Sequence, residues 1–237
     1  MLYYGISDLI SLGETDLNIT LSILCILLYG AACATHLVCC TPPEQHRIRK
    51  ISKGFLMPLL ALCYLLVANP ASPLVVIAVL CGFAGDVLLI RRDSKLFFTL
   101  GLSAFAVGHV CYSIHMLRLL PRIPAWWVLA IACVCYFVAG CLLYRKLLPY
   151  IPRELTFPCL AYIVLICAMS LTAFMVMLGY GGLNGIMLFA GSLFFLLSDS
   201  ILSLSEFGVH TFRYRDLLIM STYILAQTLI ISGLIGL

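Results

Sequence analysis

Eight long runs of apolar residues, separated by short polar loops, constrain this sequence more than any other feature. A helix that crosses a membrane needs ~20 apolar residues, and most of these runs approach that length. Only 10% of the residues are charged and 63% are hydrophobic, whereas about a quarter of a soluble domain is charged. Such a chain cannot cover a surface that faces water. We therefore predict an all-α, polytopic membrane protein with one integral membrane domain over residues 1–237.

The boundaries of the eight spans follow from the polar loops that interrupt the apolar runs. The predicted spans are Asn18–Cys40, Lys53–Ala68, Leu74–Ile90, Leu96–Leu117, Ala125–Tyr144, Pro158–Leu178, Ile186–Leu204 and Leu217–Leu237. The residues before span 1 contain no Lys or Arg, so we expect no signal peptide there. The connections are short, which leaves no room for a separate soluble domain.

Basic residues alternate between the loops and predict the orientation of the bundle. Every second loop is basic, and these loops hold all but two of the 14 Lys and Arg residues: Arg47, Arg49, Lys50, Lys53, Arg91, Arg92, Lys95, Arg145, Lys146, Arg153, Arg213 and Arg215. By the positive-inside rule these loops face the cytoplasm, and both termini are non-cytoplasmic. The membrane is expected to be a bacterial inner membrane or the endoplasmic reticulum. Positive charge confined to short loops gives no reason to expect a nucleic acid partner.

Two aspartates stand inside apolar runs. Asp86 lies in LCGFAGDVLLI of span 3, and Asp199 lies in GSLFFLLSDSILSLSE of span 7. A carboxylate at membrane depth costs ~2.5–3.5 kcal/mol and is retained where it faces a cavity and has a function. Both are predicted near the cytoplasmic ends of their spans, so we interpret them as a pair in one site on that side. The alternatives are snorkelling and helix capping, although an Asp near a helix C-terminus opposes the helix dipole.

The similar surroundings of the two aspartates suggest an internal repeat. Each aspartate lies in the third span of a group of four, and both spans run in the same direction. Two parallel four-helix halves would explain this arrangement. The alternative is a chance similarity between two short apolar strings.

Five further polar residues are candidates for substrate binding. His109 and Tyr112 share one face of span 4, and Tyr223 and Gln227 share one face of span 8. Lys53 is expected at the cytoplasmic edge of span 2, where its amine could snorkel or meet an anionic headgroup. The alternative for the four uncharged residues is hydrogen bonding between helices without chemistry.

Neither Tyr162, another intramembrane hydroxyl, nor the cysteines indicate a further site. Tyr162 in span 6 is expected to be structural. The 12 cysteines are scattered through apolar segments, where free Cys behaves as a small hydrophobic residue. No paired His spacing typical of zinc sites is present. We therefore expect no metal and no cofactor.

Several of these strings together resemble the YhhN family of integral membrane proteins, which includes the transmembrane-protein-86-type lysoplasmalogenases. They are Lys53 with Pro58, GFAGDVLLI, GLSAFAVGHVCY, FFLLSDSILSL and DLLIMSTYILAQTLIISG, in the family's order and spacing. The resemblance implies hydrolysis of the vinyl ether bond of lysoplasmalogen, a lysophospholipid. The products would be a fatty aldehyde and glycerophosphoethanolamine or glycerophosphocholine. It also implies that Asp86 and Asp199 are the catalytic pair.

The chemistry of that reaction suits two carboxyl groups in a dry site. Protonation of the β-carbon of a vinyl ether gives an oxocarbenium ion, which water captures to form a hemiacetal that collapses to aldehyde and alcohol. The reaction needs one protonated acid, one ionised group and a dry slot for the alkyl chain. Two close carboxyl groups at low dielectric share a proton, because both cannot readily ionise. Glycosidases use the same residue types for a related cation.

The remaining candidates receive roles from this chemistry. His109, Tyr112, Tyr223 and Gln227 are expected to position water and the ether oxygen. Lys53, together with Arg91 or Arg92, is expected to hold the phosphate at the cytoplasmic rim.

Two other classes of function remain open at this stage. A small-solute or proton-coupled transporter would also use intramembrane acids and parallel halves, although its coupling site is usually nearer the middle of the membrane. A non-catalytic lipid-binding protein is the third class, and it predicts no chemical change in any lipid.

Overall fold

The computed structural model describes residues 2–40, 46–91, 94–210 and 213–237, and for residues 2–16, 46–47 and 91 only the backbone. This part of the chain forms helices and no strands. The α-helices are α1 (Leu2–Cys39), α2 (His46–Val67), α3 (Pro73–Leu88), α4 (Lys95–Leu119), α5 (Trp126–Leu147), α6 (Thr156–Tyr180), α7 (Gly182–Glu206) and α8 (Arg215–Ile235).

Seven of these helices are long and apolar enough to cross a membrane, and the chain is an integral membrane protein. The exception is α3, which has 16 residues and continues into a short 3-10 helix at Leu89–Arg91. The prediction of eight spans is therefore not confirmed by helix length. The prediction of two parallel halves stays a prediction.

Two helices begin earlier than the sequence indicates. α1 begins at Leu2 rather than Asn18, because the polar residues before the apolar run continue the helix. α2 begins at His46, so Lys53 lies two turns inside the helix and not at its start. The side chain of Lys53 consequently lies inside the bundle, and only 16% of it is exposed.

The helices that carry the two aspartates are held by different neighbours. α3 packs mainly against α4 and α2, while α7 packs mainly against α8 and α6. Between α7 and α8 the backbones approach closely, since a Cβ added at Gly191 would lie 2.8 Å from Ile230 N. A Cβ added at Gly233 would lie 2.8 Å from Leu188 N. Small residues at such contacts are typical of membrane helix pairs. Here they fix the position of α7, which carries Asp199, against α8, which carries Tyr223.

The predicted basic loops meet at one end of the bundle, which we call the basic end. Arg49 of α2 pairs with Asp216 of α8 at 2.5 Å, and Lys95 of α4 pairs with Glu154 before α6 at 3.2 Å. Which side of the membrane the basic end faces remains a prediction from the sequence.

Helix α5 is the least packed element of the bundle. Its principal neighbour is α6, with a smaller contact to α7, and its one buried residue is Leu147 at the basic end. The rest of α5 stands away from the core and leaves a groove in front of α6 and α7.

Candidate active site

Asp86 is a buried carboxylate with one cationic partner. Its side chain is 4% exposed, and its Oδ1 lies 3.1 Å from Nζ of Lys53. Its Oδ2 has no hydrogen-bond partner among the described residues, and neither does the hydroxyl of Tyr223. Tyr223 lies close enough to Asp86 for electrostatic interaction. Two unsatisfied polar atoms therefore face the same small space.

Asp199 has a hydroxyl partner in place of a cation. The Tyr162 hydroxyl donates a hydrogen bond to Oδ2 of Asp199, and Nε2 of His109 lies 3.0 Å from the Tyr162 hydroxyl oxygen. Because Tyr162 donates its proton to Asp199, His109 must donate to Tyr162 through Nε2–H. The three side chains form a hydrogen-bonded chain from α4 through α6 to α7, with Nδ1 of His109 left unpartnered among the described residues.

A cavity of about 30 Å³ lies between the two carboxyl groups. It is lined by residues of α2, α3, α4, α7 and α8, with Leu89 of the 3-10 helix: Lys53, Asp86, Leu89, Phe105, Ser198, Asp199, Leu202, Asp216, Ile219, Met220 and Tyr223. One water molecule needs ~10–15 Å³ of such space, so the cavity can hold one or two. The described side chains include no hydrogen bond between Asp86 and Asp199. The directly shared proton that the sequence suggested is therefore not seen, and both aspartates line the same cavity.

Aromatic rings build the wall behind the cavity. Phe105 of α4 packs edge-on against Phe195 of α7 and Tyr223 of α8, with ring centroids 6.4 and 6.0 Å apart. His109 packs edge-on against Phe195 at 4.7 Å. These contacts fix the rings on which the two hydroxyl groups depend, and they exclude water from the inner side of the site.

A polar vestibule of about 380 Å³ opens at the basic end. It is lined by four cations, two acids and four other residues: Arg49, Lys50, Lys53, Arg215, Glu206, Asp216, His36, Leu89, Ile90 and Met220. Arg215 pairs with Glu206 at 2.5 Å, beside the pair of Arg49 and Asp216. Lys53 lines both the vestibule and the cavity, so the vestibule adjoins the cavity on the side of Asp86.

An apolar groove of about 640 Å³ adjoins Asp199 from the other direction. Helices α5, α6 and α7 form its walls, and nearly all of its lining is aliphatic or aromatic. Asp199 and Tyr162 lie in its wall, with Ser200 and Ser203 beside them toward the basic end. Asp199 is half-buried because this groove opens beside it.

Tyr112 and Gln227 hydrogen-bond to each other rather than to the aspartates. The Tyr112 hydroxyl donates to Oε1 of Gln227 at 2.8 Å, and each residue is 1% exposed. Gly82, one helical turn before Asp86, leaves room for Gln227 and for the hydroxyl group of Tyr223. A Cβ added at Gly82 would lie 3.1 Å from the Tyr223 hydroxyl oxygen and 3.4 Å from Nε2 of Gln227. This pair supports Tyr223 from behind.

The predicted site residues thus divide into three groups. Lys53, Asp86, Asp199 and Tyr223 line one cavity. His109 reaches Asp199 only through Tyr162. Tyr112 and Gln227 form the layer behind Tyr223.

Sequence reasoning missed several residues around the cavity. Tyr162 was expected to be structural, although a hydroxyl inside an apolar helix is itself a signal. Arg49, Lys50 and Arg215 line the vestibule, whereas the side chains of Arg91 and Arg92 lie outside the described part of the chain. Within that part, no cluster of His, Cys, Asp and Glu has the geometry to hold a metal ion.

The model of the YhhN family matches residues 48–234 of this chain. The chain belongs to the YhhN family. The matched region contains all the residues that line the cavity and the groove, so the site of this YhhN protein is built within the family's common core. The family is consistent with a hydrolase. Comparisons with curated proteins and with solved structures return no match for the chain.

Proposed function

We propose that this YhhN protein is a lysoplasmalogenase-type hydrolase, which cleaves the vinyl ether bond of lysoplasmalogen to a fatty aldehyde and glycerophosphoethanolamine or glycerophosphocholine. One observation carries the proposal. Asp86 and Asp199 face one water-sized cavity, with the polar vestibule on the side of Asp86 and the apolar groove on the side of Asp199. A lysolipid is polar at one end and apolar at the other, so we place its ether bond beside Asp199, where the groove meets the cavity, and the attacking water in the cavity.

The surroundings of the two carboxyl groups divide the acid and base roles. Asp86 is the ionised member, because the ammonium group of Lys53 compensates its charge. Asp199 has no cation beside it among the described residues and accepts a hydrogen bond from a neutral hydroxyl. It is the protonated member and the general acid.

The reaction then proceeds with each proton accounted for. Asp199 protonates the β-carbon of the alkenyl chain, which leaves an oxocarbenium ion whose charge the Asp86 carboxylate stabilises. Water in the cavity adds to the cationic carbon and gives its proton to Asp86, which forms the hemiacetal. As the bond to the glycerol oxygen breaks, Asp86 returns its proton to that oxygen and the hemiacetal hydroxyl returns a proton to Asp199. Both carboxyl groups end in their starting states.

The vestibule suits the headgroup of such a lipid. A phosphate is attracted by Arg49, Lys50 and Arg215, and an ammonium group by Glu206 and Asp216. Lys53 lies between the headgroup and Asp86, so its ammonium group interacts with the phosphate as well as with the Asp86 carboxylate. With the basic end in the cytoplasm, as the loops predict, the substrate is taken from the cytoplasmic leaflet.

Hydrolysis of lysoplasmalogen by the purified protein tests the proposal. We expect Asp86→Asn and Asp199→Asn each to lower the rate of aldehyde release ~10²–10⁴-fold, the usual contribution of a general acid or base. Glu154→Gln is the matched control, because Glu154 is an exposed acid that lines none of these spaces. Retained activity in either Asn variant would contradict the pair. Solute flux into proteoliposomes without product would favour a transporter instead.

Hydrolysis in D₂O tests the protonation step. Every route from a vinyl ether to an aldehyde adds one solvent hydrogen to the carbon next to the aldehyde group, so the informative quantity is the rate and not the label. Proton transfer to carbon as the slow step predicts slower aldehyde release in D₂O than in H₂O. Equal rates in the two solvents would contradict it.

A further inference from the structure

We infer that the groove between α5, α6 and α7 binds the hydrocarbon chain of the lysolipid and that the chain enters it sideways from the bilayer. The headgroup chemistry of this lipid rests on the proposed function, but occupation of the groove is measured separately below.

The most polar part of the groove lies near its basic end. Asp199 and Tyr162 lie toward the basic end, while Trp127, Phe174 and Phe189 line the opposite end. Gly140 marks the level of the reacting atoms on α5, because a Cβ there would lie 3.3 Å from Ile163, the neighbour of Tyr162. An occupant must therefore be apolar along most of its length and reactive at one end, which describes a lipid chain.

The dimensions of the groove suit a lipid chain. From Trp127 to Leu143 the groove follows α5 over 16 residue steps, which is ~24 Å at 1.5 Å per residue. The groove offers about 640 Å³, which lies in the ~300–1,000 Å³ range of small-ligand sites. A long, narrow space of this size matches one hydrocarbon chain.

The weak packing of α5 explains how a chain gains access. α5 has no buried residue between Trp126 and Lys146, so the groove is open toward the surrounding lipid. A chain can move in from the side without crossing a polar barrier. The headgroup stays at the basic end, beside the vestibule.

Aromatic rings line the far end of the groove. Phe174 and Phe189 pack against each other with centroids 5.2 Å apart, and Trp127 lies on the opposite wall. The two Phe rings are half-buried and the Trp127 ring is 56% exposed. A hydrocarbon chain therefore meets apolar rings as far as this end of the groove.

Ala132 provides a place to shorten the groove. It is half-buried and lines the groove eight residues from Gly140, which is ~12 Å along the helix. Ala130 on the same helix is exposed and does not line the groove. Ala132→Trp blocks the groove midway, and Ala130→Trp is the matched control that adds the same side chain toward lipid.

Binding of saturated alkyl-ether lysophosphoethanolamines, which cannot be hydrolysed, tests the inference. Titration calorimetry with the purified protein compares hexadecyl and octyl chains. We expect Ala132→Trp to lower the affinity for the hexadecyl lipid at least tenfold and to leave the octyl lipid unaffected, since an octyl chain ends before Ala132. We expect Ala130→Trp to bind both as the unaltered protein does.

The unaltered protein offers a second test that does not depend on folding of a variant. Cys133 and Cys135 of α5 are both exposed, but Cys135 lines the groove and Cys133 does not. We expect the hexadecyl lipid to slow alkylation of Cys135 by a membrane-permeant maleimide at least fivefold and to leave Cys133 unchanged, as measured by mass spectrometry.

The outcomes separate this inference from the proposed function. Equal hexadecyl affinity in the two Trp variants, or equal protection of the two cysteines, overturns the groove as the chain site even if lysoplasmalogen is hydrolysed. Selective loss in Ala132→Trp together with protection of Cys135 supports the groove even if no hydrolysis is found.

Discussion

Asp86 and Asp199 face the same cavity, but their surroundings differ in charge and in access. Asp86 is paired with the Lys53 ammonium group and adjoins a vestibule rich in charged residues. Asp199 is bonded to the neutral hydroxyl of Tyr162 and adjoins an apolar groove. The difference shows how two chemically identical side chains can serve as base and acid in one site.

The two surroundings also differ in how they are built. The partner of Asp86 comes from the neighbouring helix, α2, which packs directly against α3. The partners of Asp199 come from two other helices, since His109 of α4 hydrogen-bonds to Tyr162 of α6, and Tyr162 hydrogen-bonds to the carboxyl group. The acid side therefore depends on more distant packing than the base side.

Removal of the Lys53 ammonium group is expected to have the largest effect on stability. Lys53→Met leaves Asp86 as a buried charge without a cation, and we expect the free energy of unfolding to fall by about 3–5 kcal/mol. The double variant Lys53→Met/Asp86→Asn removes the charge as well and should recover most of this loss. Chemical denaturation in mixed micelles measures both. Lys50→Met, at an exposed position, is the control. If the double variant does not recover stability, the loss in Lys53→Met is not due to the uncompensated charge of Asp86.

Removal of the Tyr162 hydroxyl is expected to have a smaller effect. Tyr162→Phe leaves Oδ2 of Asp199 and Nε2 of His109 without their partner. Because Asp199 is half-buried, we expect a total cost of about 1–3 kcal/mol. We expect hydrolysis to fall as well, because Asp199 loses its orientation, while the Lys53–Asp86 pair is unaffected. Tyr180→Phe changes an exposed tyrosine in the same helix and should alter neither stability nor rate. If Tyr162→Phe behaves like that control, Asp199 does not need the hydrogen-bonded chain of Tyr162 and His109.

The aromatic wall behind the cavity can be disturbed through Gly85. A Cβ added there would lie 2.5 Å from the ring of Phe105, so Gly85→Ala must displace that ring. We expect a loss of about 1–3 kcal/mol in unfolding free energy, as for other overpacked sites. At Gly54 of α2 an added Cβ meets nothing within 4 Å, and Gly54→Ala should instead stabilise the helix by about 0.5–1 kcal/mol. Equal effects at the two glycines would show that the Phe105 ring moves aside without cost.

Sequence reasoning was most successful where one residue type is rare. Asp86 and Asp199 were identified as a pair because a carboxylate in an apolar helix is expensive enough to need a reason. The all-helical membrane fold followed from the lengths of the apolar runs. The family assignment followed from several weak strings in the right order.

Sequence reasoning was least successful where partners come from different helices. Tyr162 was expected to be structural because its own helix does not show which residue its hydroxyl meets, and only the packing of α6 against α7 brings that hydroxyl to Asp199. Lys53 was placed at the membrane edge because a basic loop precedes it. The earlier start of α2 places it inside the bundle instead, where it can reach Asp86.

The sequence by itself determined that this protein lies in a membrane, that its loops alternate in charge and that two carboxyl groups lie at a similar depth. These properties follow from local composition, since the transfer of a helix into lipid depends on its own residues. Only the tertiary structure decided that Asp86 meets a cation, that Asp199 meets a hydroxyl, and that a vestibule and a groove reach them from opposite sides. The rotation of each helix about its axis sets these contacts, and that rotation depends on the packing of all its neighbours.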